Sequence, residues 1–382
     1  MDFRLTDEQE LLLESVREFG KLWPESYWKE CDEEHKFPIE FTKAFYDSGL
    51  KHLGLPEEMG GTKTDRVTQT LVQLELAKMG VPTSAVMADE MIIRSIFKYG
   101  TEEQKERCVK SIKEGRPAAA LAYTEPGAGS DLQSLTTSYT RKNGKVYLNG
   151  HKTFISYIWN TDQVIVMTRN ADIPETEKKM FTSWMIPTNA PGVKMRKLNK
   201  IGNHYVDNSE VYLENVEIEE KDMFGAEGNG FKQTMMGFEN ERLFIGINVL
   251  GMAYAAFEDS ARYANQRIQF GQQIGTFQML MEKIVDMKTK VENMYNMCMK
   301  MAWMIDDGQS VRGKVEYLKR YCCQASHEVI DDALQIFGGL GYTTDHRINR
   351  FWRDIRINRI GGGSDQIMVR VAAPAILKEY EK

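Results

Sequence analysis

The chain has 382 residues, which is too long for one simple hydrophobic core, so about two or three domains are expected. Its composition, 42% hydrophobic and 27% charged, is ordinary for a globular protein, and a net charge of -6 argues against a general nucleic-acid binder. No apolar run approaches the roughly 18 residues of a membrane span.

The chain has five cysteines, scattered and without a C-x-x-C pair. An odd, scattered count in a long chain is typical of reduced, intracellular proteins. Met1 to Arg4 run directly into a predicted helix, without the pattern of a signal or transit peptide. We therefore expect a cytoplasmic protein, with no membrane span, no nucleic-acid partner and no metal site.

The first third of the chain has the pattern of successive helices. Thr6-Asp7-Glu8-Gln9 is a capping box before an apolar run of helical period. Further helices, each with a glycine at or just after its end, are predicted over 40–49, 68–79, 87–99 and 102–114. Residues 1–117 are thus predicted to form an all-helical N-terminal domain.

The pattern then changes to short alternating or apolar segments. Asn143-Gly144 is a hairpin signal, and strands are predicted over 145–150, 163–167, 181–186, 192–195 and 210–213. Several short strands with regular turns are typical of a small barrel or sandwich, and we predict a small β-barrel over 118–222.

Helical patterns return near Gly230 and continue. Long amphipathic helices are predicted over 229–268, 276–306, 310–337 and 364–380. Four such helices indicate a C-terminal four-helix bundle over 223–382, with the methionines near 294–304 in its core. The predicted fold class is α+β and mainly α, with a small barrel between two helical domains.

Two glycine-rich stretches stand out. The first is the loop Thr124-Glu125-Pro126-Gly127-Ala128-Gly129-Ser130-Asp131, which fits a phosphate-binding loop and an ordinary strand-to-turn about equally well. The second runs from Gln335 through Gly338-Gly339 to Gly361-Gly362-Gly363, with arginines at every third position from 347 to 359. A spacing of three drifts around a helix, so these arginines are predicted to form a mix of salt bridges and at most one cofactor contact.

Together, the helix–barrel–bundle order, the T-E-P-G-A-G-S-D loop and the Q-I-F-G-G-L-G-Y…R-D run resemble the acyl-CoA dehydrogenase family of flavoproteins. The resemblance covers the whole chain, and two long motifs inside the three-part layout make it specific. Within the family, the segments 221–225 and 262–267 are most similar to the crotonobetainyl-CoA reductases of carnitine metabolism.

The resemblance implies FAD as the cofactor. It places Thr124 beside the pyrimidine side of the isoalloxazine and Ser130 at the pyrophosphate. Phe154 and Ser156 match a pair that walls the flavin, where the serine keeps a donor toward flavin N5, the atom that receives hydride. Without the resemblance, Phe154 and Ser156 are equally well explained as neighbouring positions of an ordinary strand.

The resemblance also implies an oligomer, typically a homotetramer. Arg267 and Phe270 match an R-x-x-F-G pattern in which the arginine reaches the FAD pyrophosphate of a neighbouring subunit and the phenylalanine packs by the adenine. The alternative for Arg267 is a surface charge at a helix end. Five further residues match cofactor positions: Gln335, Gly338, Gly339, Ser364 and Gln366.

The catalytic base of the family is a carboxylate that removes the α-proton of an acyl-CoA. Most members carry a glutamate nine residues after the R-D motif, but this chain has Gly362 there. Asp365 is nearby and is predicted to begin a helix instead. Some members place the base before an arginine on the first long helix of the C-terminal domain, which here is Glu241, followed by Arg242. The alternatives for Glu241 are a solvated charge and a partner of Arg242.

Glu239 resembles an acidic contact to CoA, and Arg242 and Gly362 are assigned to the acyl site. The implied activity interconverts an acyl-CoA and its 2,3-enoyl-CoA, with the α-proton transferred to Glu241 and the β-hydride to flavin N5. An electron-transfer flavoprotein is the expected redox partner. Alternatives are an acyl-CoA oxidase and a non-catalytic acyl-CoA or flavin-binding protein. A crotonobetainyl-type substrate would need an aromatic cage, for which Tyr157, Trp159, Tyr205 and Phe244 are candidates.

Overall fold

The computed structural model describes residues 4–173, 180–235 and 238–381. In its N-terminal part the described residues form seven helices. They are α1 (Asp7–Lys21), α2 (Glu25–Glu33), α3 (Ile39–Asp47), α4 (Arg66–Lys78), α5 (Thr83–Val86), α6 (Glu90–Tyr99) and α7 (Glu102–Lys113).

The start of α1 follows from its sequence. The Thr6 hydroxyl accepts the amide proton of Gln9 at 3.2 Å, and the Gln9 side-chain oxygen accepts the Thr6 amide proton at 3.1 Å. This confirms the capping box. The helix α2 was not predicted, because Pro24 precedes it without a side-chain cap. Its formation depends on tertiary packing, since Trp28 on α2 is completely buried against Phe41.

The described residues of the middle part form the strands β1 (Ala120–Ala122), β2 (Ser138–Lys142), β3 (Lys145–Ser156), β4 (Gln163–Asn170), β5 (Phe181–Pro187), β6 (Val193–Lys197), β7 (Asn208–Ile218) and β8 (Met223–Phe224). They make one mixed sheet in the order β6-β7-β3-β2-β4-β5-β8, with β1 parallel to β4. One apolar core contains buried side chains of β1 to β5 and β7, and Val193 and Met195 of β6 pack against it. The end of β1 carries the loop that begins at Thr124.

The C-terminal part is helical again. Its elements are α8 (Gly230–Met235), α9 (Phe238–Gln266), the short hairpin β9 (Ile268–Gln269) and β10 (Gln272–Gln273), α10 (Gln278–Asp306), α11 (Lys314–Phe337), α12 (Arg347–Ile355) and α13 (Asp365–Lys378). The single helix predicted over 229–268 is described as two helices, and residues 236–237 between them lie outside the described residues. Met294, Met301 and Met304 are buried in the core of these helices, as predicted.

Four of the five arginines between 347 and 359 form separate salt bridges, as the spacing predicts: Arg347, Arg350, Arg353 and Arg359. Three of them lie on α12 and reach acidic residues of other elements: Arg347–Asp259 at 2.6 Å, Arg350–Glu25 at 3.0 Å and Arg353–Asp32 at 2.5 Å. Two of these pairs join α12 to α2, so they connect the C-terminal helices to the N-terminal ones.

All five cysteines are buried and free. Within the described ranges, no helix has the length and apolar character needed to cross a membrane. The same ranges contain no group of three or more His, Cys, Asp or Glu side chains suited to hold a metal ion. The domain bounds 1–117, 118–222 and 223–382 stay predictions.

Candidate active site

A cavity of about 930 Å³ is lined by residues of all three parts of the chain. The N-terminal helices α4 and α6 form one wall, the loop after β1 forms a second, and α8, α9 and α13 complete it. The cavity brings together five of the residues that the sequence assigned to cofactor and substrate. They are Thr124, Ser130, Glu241, Arg242 and Gly362.

Glu241 lies in the first turn of α9, where its carboxyl group faces this cavity. Its Oε2 atom is buried and makes no hydrogen bond. Burial raises the pKa of Glu241 above the ordinary range, against the opposing effects of the Arg242 and Lys319 cations. A carboxyl group whose pKa is raised binds a proton more readily than an exposed glutamate does, which suits a general base.

Arg242 forms a buried ion pair with Glu316 on α11. Its Nη1 lies 2.5 Å from Oε1 of Glu316, and both side chains are almost fully removed from solvent. The Arg242 cation also acts on Glu241, whose pKa it lowers against the effect of burial.

Gly362 adjoins Glu241 in space, although about 120 residues separate them in sequence. A Cβ atom at position 362 would lie 3.5 Å from Oε1 of Glu241 and 2.5 Å from Cδ1 of Ile245. The position that usually carries the family's base therefore touches the base predicted here. Asp365 begins α13, as expected, and its carboxylate is 2.8 Å from Nε of Arg359.

Lys319 on α11 holds the glycine run in place. Its side chain is completely buried, and its Nζ donates to the carbonyl oxygens of Gly361 at 2.8 Å and of Gly363 at 2.5 Å. Burial lowers the pKa of Lys319, and the nearby Cys323 and Glu241 act in the opposite direction. One cation thus fixes the backbone on both sides of Gly362 and lies close enough to influence Glu241.

A buried ion pair shapes the loop that follows β1. Lys152 on β3 donates to Glu125 at 2.9 Å, and the backbone amides of Thr136 and Thr137 donate to the same carboxylate. Burial disfavours the ionised acid, but Lys152 and the threonine donors overcome this and hold the pKa of Glu125 at about 2. The pair fixes the loop from Thr124 to Asp131.

Phe154 and Ser156 lie on β3 beside this loop, because the amide of Thr153 donates to the carbonyl of Thr124 at 2.9 Å. Phe154 has a φ of +58° and its side chain is 65% exposed, an unusual combination for a large aromatic residue. The Ser156 hydroxyl accepts a hydrogen bond from Asn208 at 3.0 Å.

This surface fits a flat, polyphosphate-bearing cofactor. A Cβ atom on Gly127 or Gly129 would meet nothing within 4 Å, so the loop backbone is open to a ligand. The exposed ring of Phe154 offers an apolar face next to it. Open glycine backbone and an uncovered aromatic ring are the features expected of a flavin site.

The other predicted cofactor residues do not line the cavity. Arg267 and Phe270 follow α9 at the surface, where the Phe270 ring is 93% exposed at a φ of +53°. Gln335, Gly338 and Gly339 are also exposed, at the end of α11. The two groups lie at the same end of the bundle, because the rings of Tyr263 and Phe337 are 4.6 Å apart. A surface location is what contact with a neighbouring subunit requires.

The remaining predicted residues have simpler surroundings. Ser364 caps α13 by accepting the amide proton of Ile367 at 3.4 Å, and Gln366 is exposed. Glu239 is half-buried and does not line the cavity. The four aromatic cage candidates all lie within the described residues, and among them only Phe244 lines the cavity. Tyr157 and Tyr205 belong to the core of the N-terminal helices, and the ring of Trp159 makes a cation–π contact with Lys197.

Sequence reasoning missed several cavity residues. Tyr123 lies beside Thr234 and Glu241, and burial raises its pKa to about 12. Arg66 and Glu90 line the N-terminal wall. A usable signal existed for α6, where Glu90 and Arg94 are four residues apart on a helix that also carries the buried Ile92, Ile93 and Ile96. Arg66 gave no signal, because its burial results from the packing of α4 against other elements.

Three domain models of one family match the chain. The N-terminal domain of acyl-CoA dehydrogenases matches residues 6–116, the middle domain matches 120–216 and the C-terminal domain matches 228–377. The chain belongs to the acyl-CoA dehydrogenase family. The recognition from the sequence and the three-part fold are thereby confirmed.

Relatives cover the acyl-CoA dehydrogenase chain from end to end. A probable acyl-CoA dehydrogenase of Escherichia coli strain K12, YdiO, is 50% identical over the full length of both chains. Butyryl-CoA dehydrogenase from Megasphaera elsdenii is 30% identical, with a TM-score of 0.87 over 99% of this chain and 100% of that one. A chain from a study of the electron transferring flavoprotein of Acidaminococcus fermentans is 29% identical, with a TM-score of 0.88 over the same shares.

Membership establishes the class of chemistry. This member of the family is a flavin-dependent oxidoreductase that acts on CH–CH bonds.

Proposed function

We propose that the protein interconverts a saturated acyl-CoA and its 2,3-enoyl-CoA, with Glu241 as the group that exchanges the α-proton. The observation that carries this proposal is the carboxyl group of Glu241, which is buried, lacks a hydrogen-bond partner at Oε2 and faces the cavity shared by three domains. Position 362, where most members of the family carry the base, adjoins Glu241 in space. Because residue 362 is a glycine here, it has no carboxyl group to offer, and this supports the assignment of Glu241.

In the oxidative direction the Glu241 carboxylate takes the α-proton, and the electron pair of that C–H bond becomes the second bond of the new double bond. The hydrogen on the β-carbon leaves as a hydride. The chemistry that FAD supplies when bound is the acceptance of that hydride. In the reductive direction Glu241 returns the proton to the α-carbon, so one site serves both directions.

We assign FAD binding to two surfaces of the chain. Thr124, Ser130, Phe154 and Ser156 form the first, in which the open glycine loop and the exposed ring supply polar and apolar contacts. The second surface, with Arg267, Phe270, Gln335, Gly338 and Gly339, would contact the FAD of a neighbouring subunit. Ser364 and Gln366, also assigned to FAD, lie at the start of α13, directly after the glycines at 361–363.

The separation of these two surfaces supports a homotetramer in which each FAD lies between subunits. The exposed Phe270 ring is apolar area that such an interface would cover. An electron-transfer flavoprotein is the proposed redox partner, and the similarity to a chain from a study of such a flavoprotein supports it. A cytoplasmic location remains our prediction.

The substrate is a CoA thioester, and two assignments for its acyl group come from likeness alone. The sequence resembles the crotonobetainyl-CoA reductases, and one structural relative is named for butyryl-CoA. Glu239 and Arg242 were assigned to this substrate from the sequence. For Arg242 the contact with Glu316 favours an indirect role, in which it keeps the first turn of α9 in place.

The test is anaerobic titration of the FAD-loaded protein with a panel of acyl-CoA thioesters. Bleaching of the flavin absorbance by an acyl-CoA, and its recovery with the matching enoyl-CoA, is the expected result. The protein would instead be a binding protein if two results came together: no acyl-CoA thioester bleaches the bound flavin, and no enoyl-CoA reoxidises the flavin after dithionite has reduced it. Rapid peroxide release in air would identify an acyl-CoA oxidase.

A further inference from the structure

The wall of the cavity formed by the N-terminal helices is charged. Arg66 from α4 and Glu90, Arg94 and Lys98 from α6 all line it, together with Gln69. A plain hydrocarbon tail gains nothing from such groups, because charges that lose water to an apolar ligand are destabilised. The wall therefore suits an acyl group that ends in a polar function.

Arg66 has a donor without an acceptor. Its Nη1 donates to Gln69 Oε1 at 3.0 Å, while its Nε is buried and makes no hydrogen bond. The Asp306 carboxylate does not meet this need, because it accepts the backbone amides of Arg66 and Val67. A buried guanidinium N–H that lacks an acceptor is costly, and a ligand oxygen at this point would satisfy it.

Glu90 stands in the same wall. Its carboxyl group packs on Gly54, where a Cβ atom would lie 2.5 Å from Oε2. The nearby Lys51 is already paired with Asp89 at 2.7 Å. Burial raises the pKa of Glu90, and Lys51 lowers it less strongly, so the neutral acid is favoured compared with an exposed glutamate. A neutral Glu90 donates a hydrogen bond and adds no negative charge.

The charges of this wall decide the sign of the ligand. Arg66, Arg94 and Lys98 line the wall together with the carboxyl group of Glu90. Lys98 has a partner of its own, so the two arginines supply the positive charge that a ligand meets. Arg94 is partly engaged, because its Nη2 donates to the carbonyl of Gly54 at 2.8 Å. This excess of positive charge repels a trimethylammonium group and attracts a carboxylate.

We propose that the N-terminal wall binds the distal carboxylate of a dicarboxylic acyl-CoA thioester, and that Arg66 is the residue that determines this specificity. The inference rests on the proposed function, since it names the substrate class of the same site. The carboxylate accepts from Arg66 Nε, while the thioester end of the ligand reaches Glu241 across the cavity.

The experiment compares ligands of equal length. Flavin reduction is measured with adipyl-CoA and pimelyl-CoA, and with hexanoyl-CoA and heptanoyl-CoA as methyl-ended counterparts. We expect kcat/KM to favour the dicarboxylic thioesters by about 10²-fold, the order of discrimination expected when a polar site meets an analogue lacking the group it binds. Reduction by hexanoyl-CoA with no preference for adipyl-CoA overturns this inference and leaves the proposed function intact. Failure of every thioester overturns both.

Variants identify the residue. Arg66→Met is expected to reduce the preference for adipyl-CoA to below about 10-fold, because kcat/KM falls further for adipyl-CoA than for hexanoyl-CoA. Arg196→Met removes an exposed arginine on β6 outside the cavity and serves as the matched control. Calorimetric dissociation constants measured on a Glu241→Gln background separate binding from turnover. An equal loss for all thioesters in Arg66→Met would mean that Arg66 binds the CoA portion, contrary to the proposal.

Glu90→Gln distinguishes the sign of the ligand charge. Glutamine keeps a donor and carries no charge, so the preference for adipyl-CoA should persist within about threefold. γ-Butyrobetainyl-CoA is the cationic probe. If this thioester reduces the flavin more efficiently than adipyl-CoA, and Glu90→Gln abolishes that advantage, the wall is a cation site and the proposal is wrong.

Discussion

Oε1 of Glu241 lies 3.5 Å from the point at which a Cβ atom of residue 362 would stand, and this chain has glycine at that point. The backbone of Gly362 has a φ of +62°, in the left-handed region. A glutamate side chain at 362 and one at 241 would compete for the same volume. A carboxyl group at either position would reach the same part of the cavity, which fits our proposal that the carboxyl group on α9 acts as the base in this chain.

Gly362→Ala should destabilise the protein and reduce the acyl space. The new methyl group would meet Cδ1 of Ile245 at 2.5 Å, and alanine is strained at this φ. We expect a loss of about 2–4 kcal/mol in the free energy of unfolding, from overpacking and left-handed strain together. Urea unfolding measures it. Gly361→Ala is the matched control, because the nearest atom to its Cβ is 3.7 Å away and its φ is not positive; an equal loss in both would contradict the argument.

Glu241→Gln should retain the fold and the FAD but lose turnover by about 10²–10⁴-fold, because an amide cannot take the α-proton. Stopped-flow flavin reduction with the best thioester measures the rate. Glu239→Gln provides the comparison on the same turn of α9, since Glu239 does not line the cavity. Near-normal turnover in Glu241→Gln would transfer the role of base to another group, with Asp365 as the first candidate.

Much of the fold could be predicted from local sequence. The capping box of α1, the glycine stops of the N-terminal helices and the hairpin at Asn143-Gly144 are local signals, and each corresponds to the structure. The helices α2 and α12 could not be predicted, because Trp28 and the arginines of α12 gain their stability from partners far away in sequence.

The residues of the candidate site also divide into those that a local motif predicts and those that only long-range packing brings into place. Thr124, Glu241 and Gly362 belong to motifs, so sequence alone could name them. Lys319 is one lysine on a long helix, and its importance arises only because α11 packs under the glycine run. Long-range packing of this kind leaves no periodic signal in the sequence.

Lys319→Met should move the pH dependence of flavin reduction. Glu241 acts in its ionised form, so the rate falls as the pH drops through its raised pKa. The Lys319 cation lowers that pKa, and its removal raises it further, which shifts the acidic limb of kcat/KM to higher pH. Lys319→Arg keeps the charge and should leave the limb near its original position. A Lys319→Met profile that loses amplitude at every pH without shifting would indicate a purely structural role.

The ion pair of Glu125 and Lys152 should govern both stability and FAD retention. The Lys152→Met variant breaks the pair and leaves a buried carboxylate without its cation. We expect a loss of about 3–5 kcal/mol in the free energy of unfolding. FAD binding should also weaken, because the loop from Thr124 to Asp131 is no longer held in place. The double variant Glu125→Gln/Lys152→Met removes both charges and should recover part of the loss.

The pH dependence gives an independent check on this pair. The pKa of Glu125 is held at about 2, below its ordinary value, so its contribution to stability is complete above the ordinary pKa of a glutamate. That contribution disappears as the pH falls through the ordinary range toward 2. The difference in urea-unfolding free energy between wild type and Glu125→Gln should therefore be largest near neutral pH and shrink in acid. A difference that stays constant from neutral pH to the acid limit of folding would show that the carboxylate charge of Glu125 does not stabilise this loop.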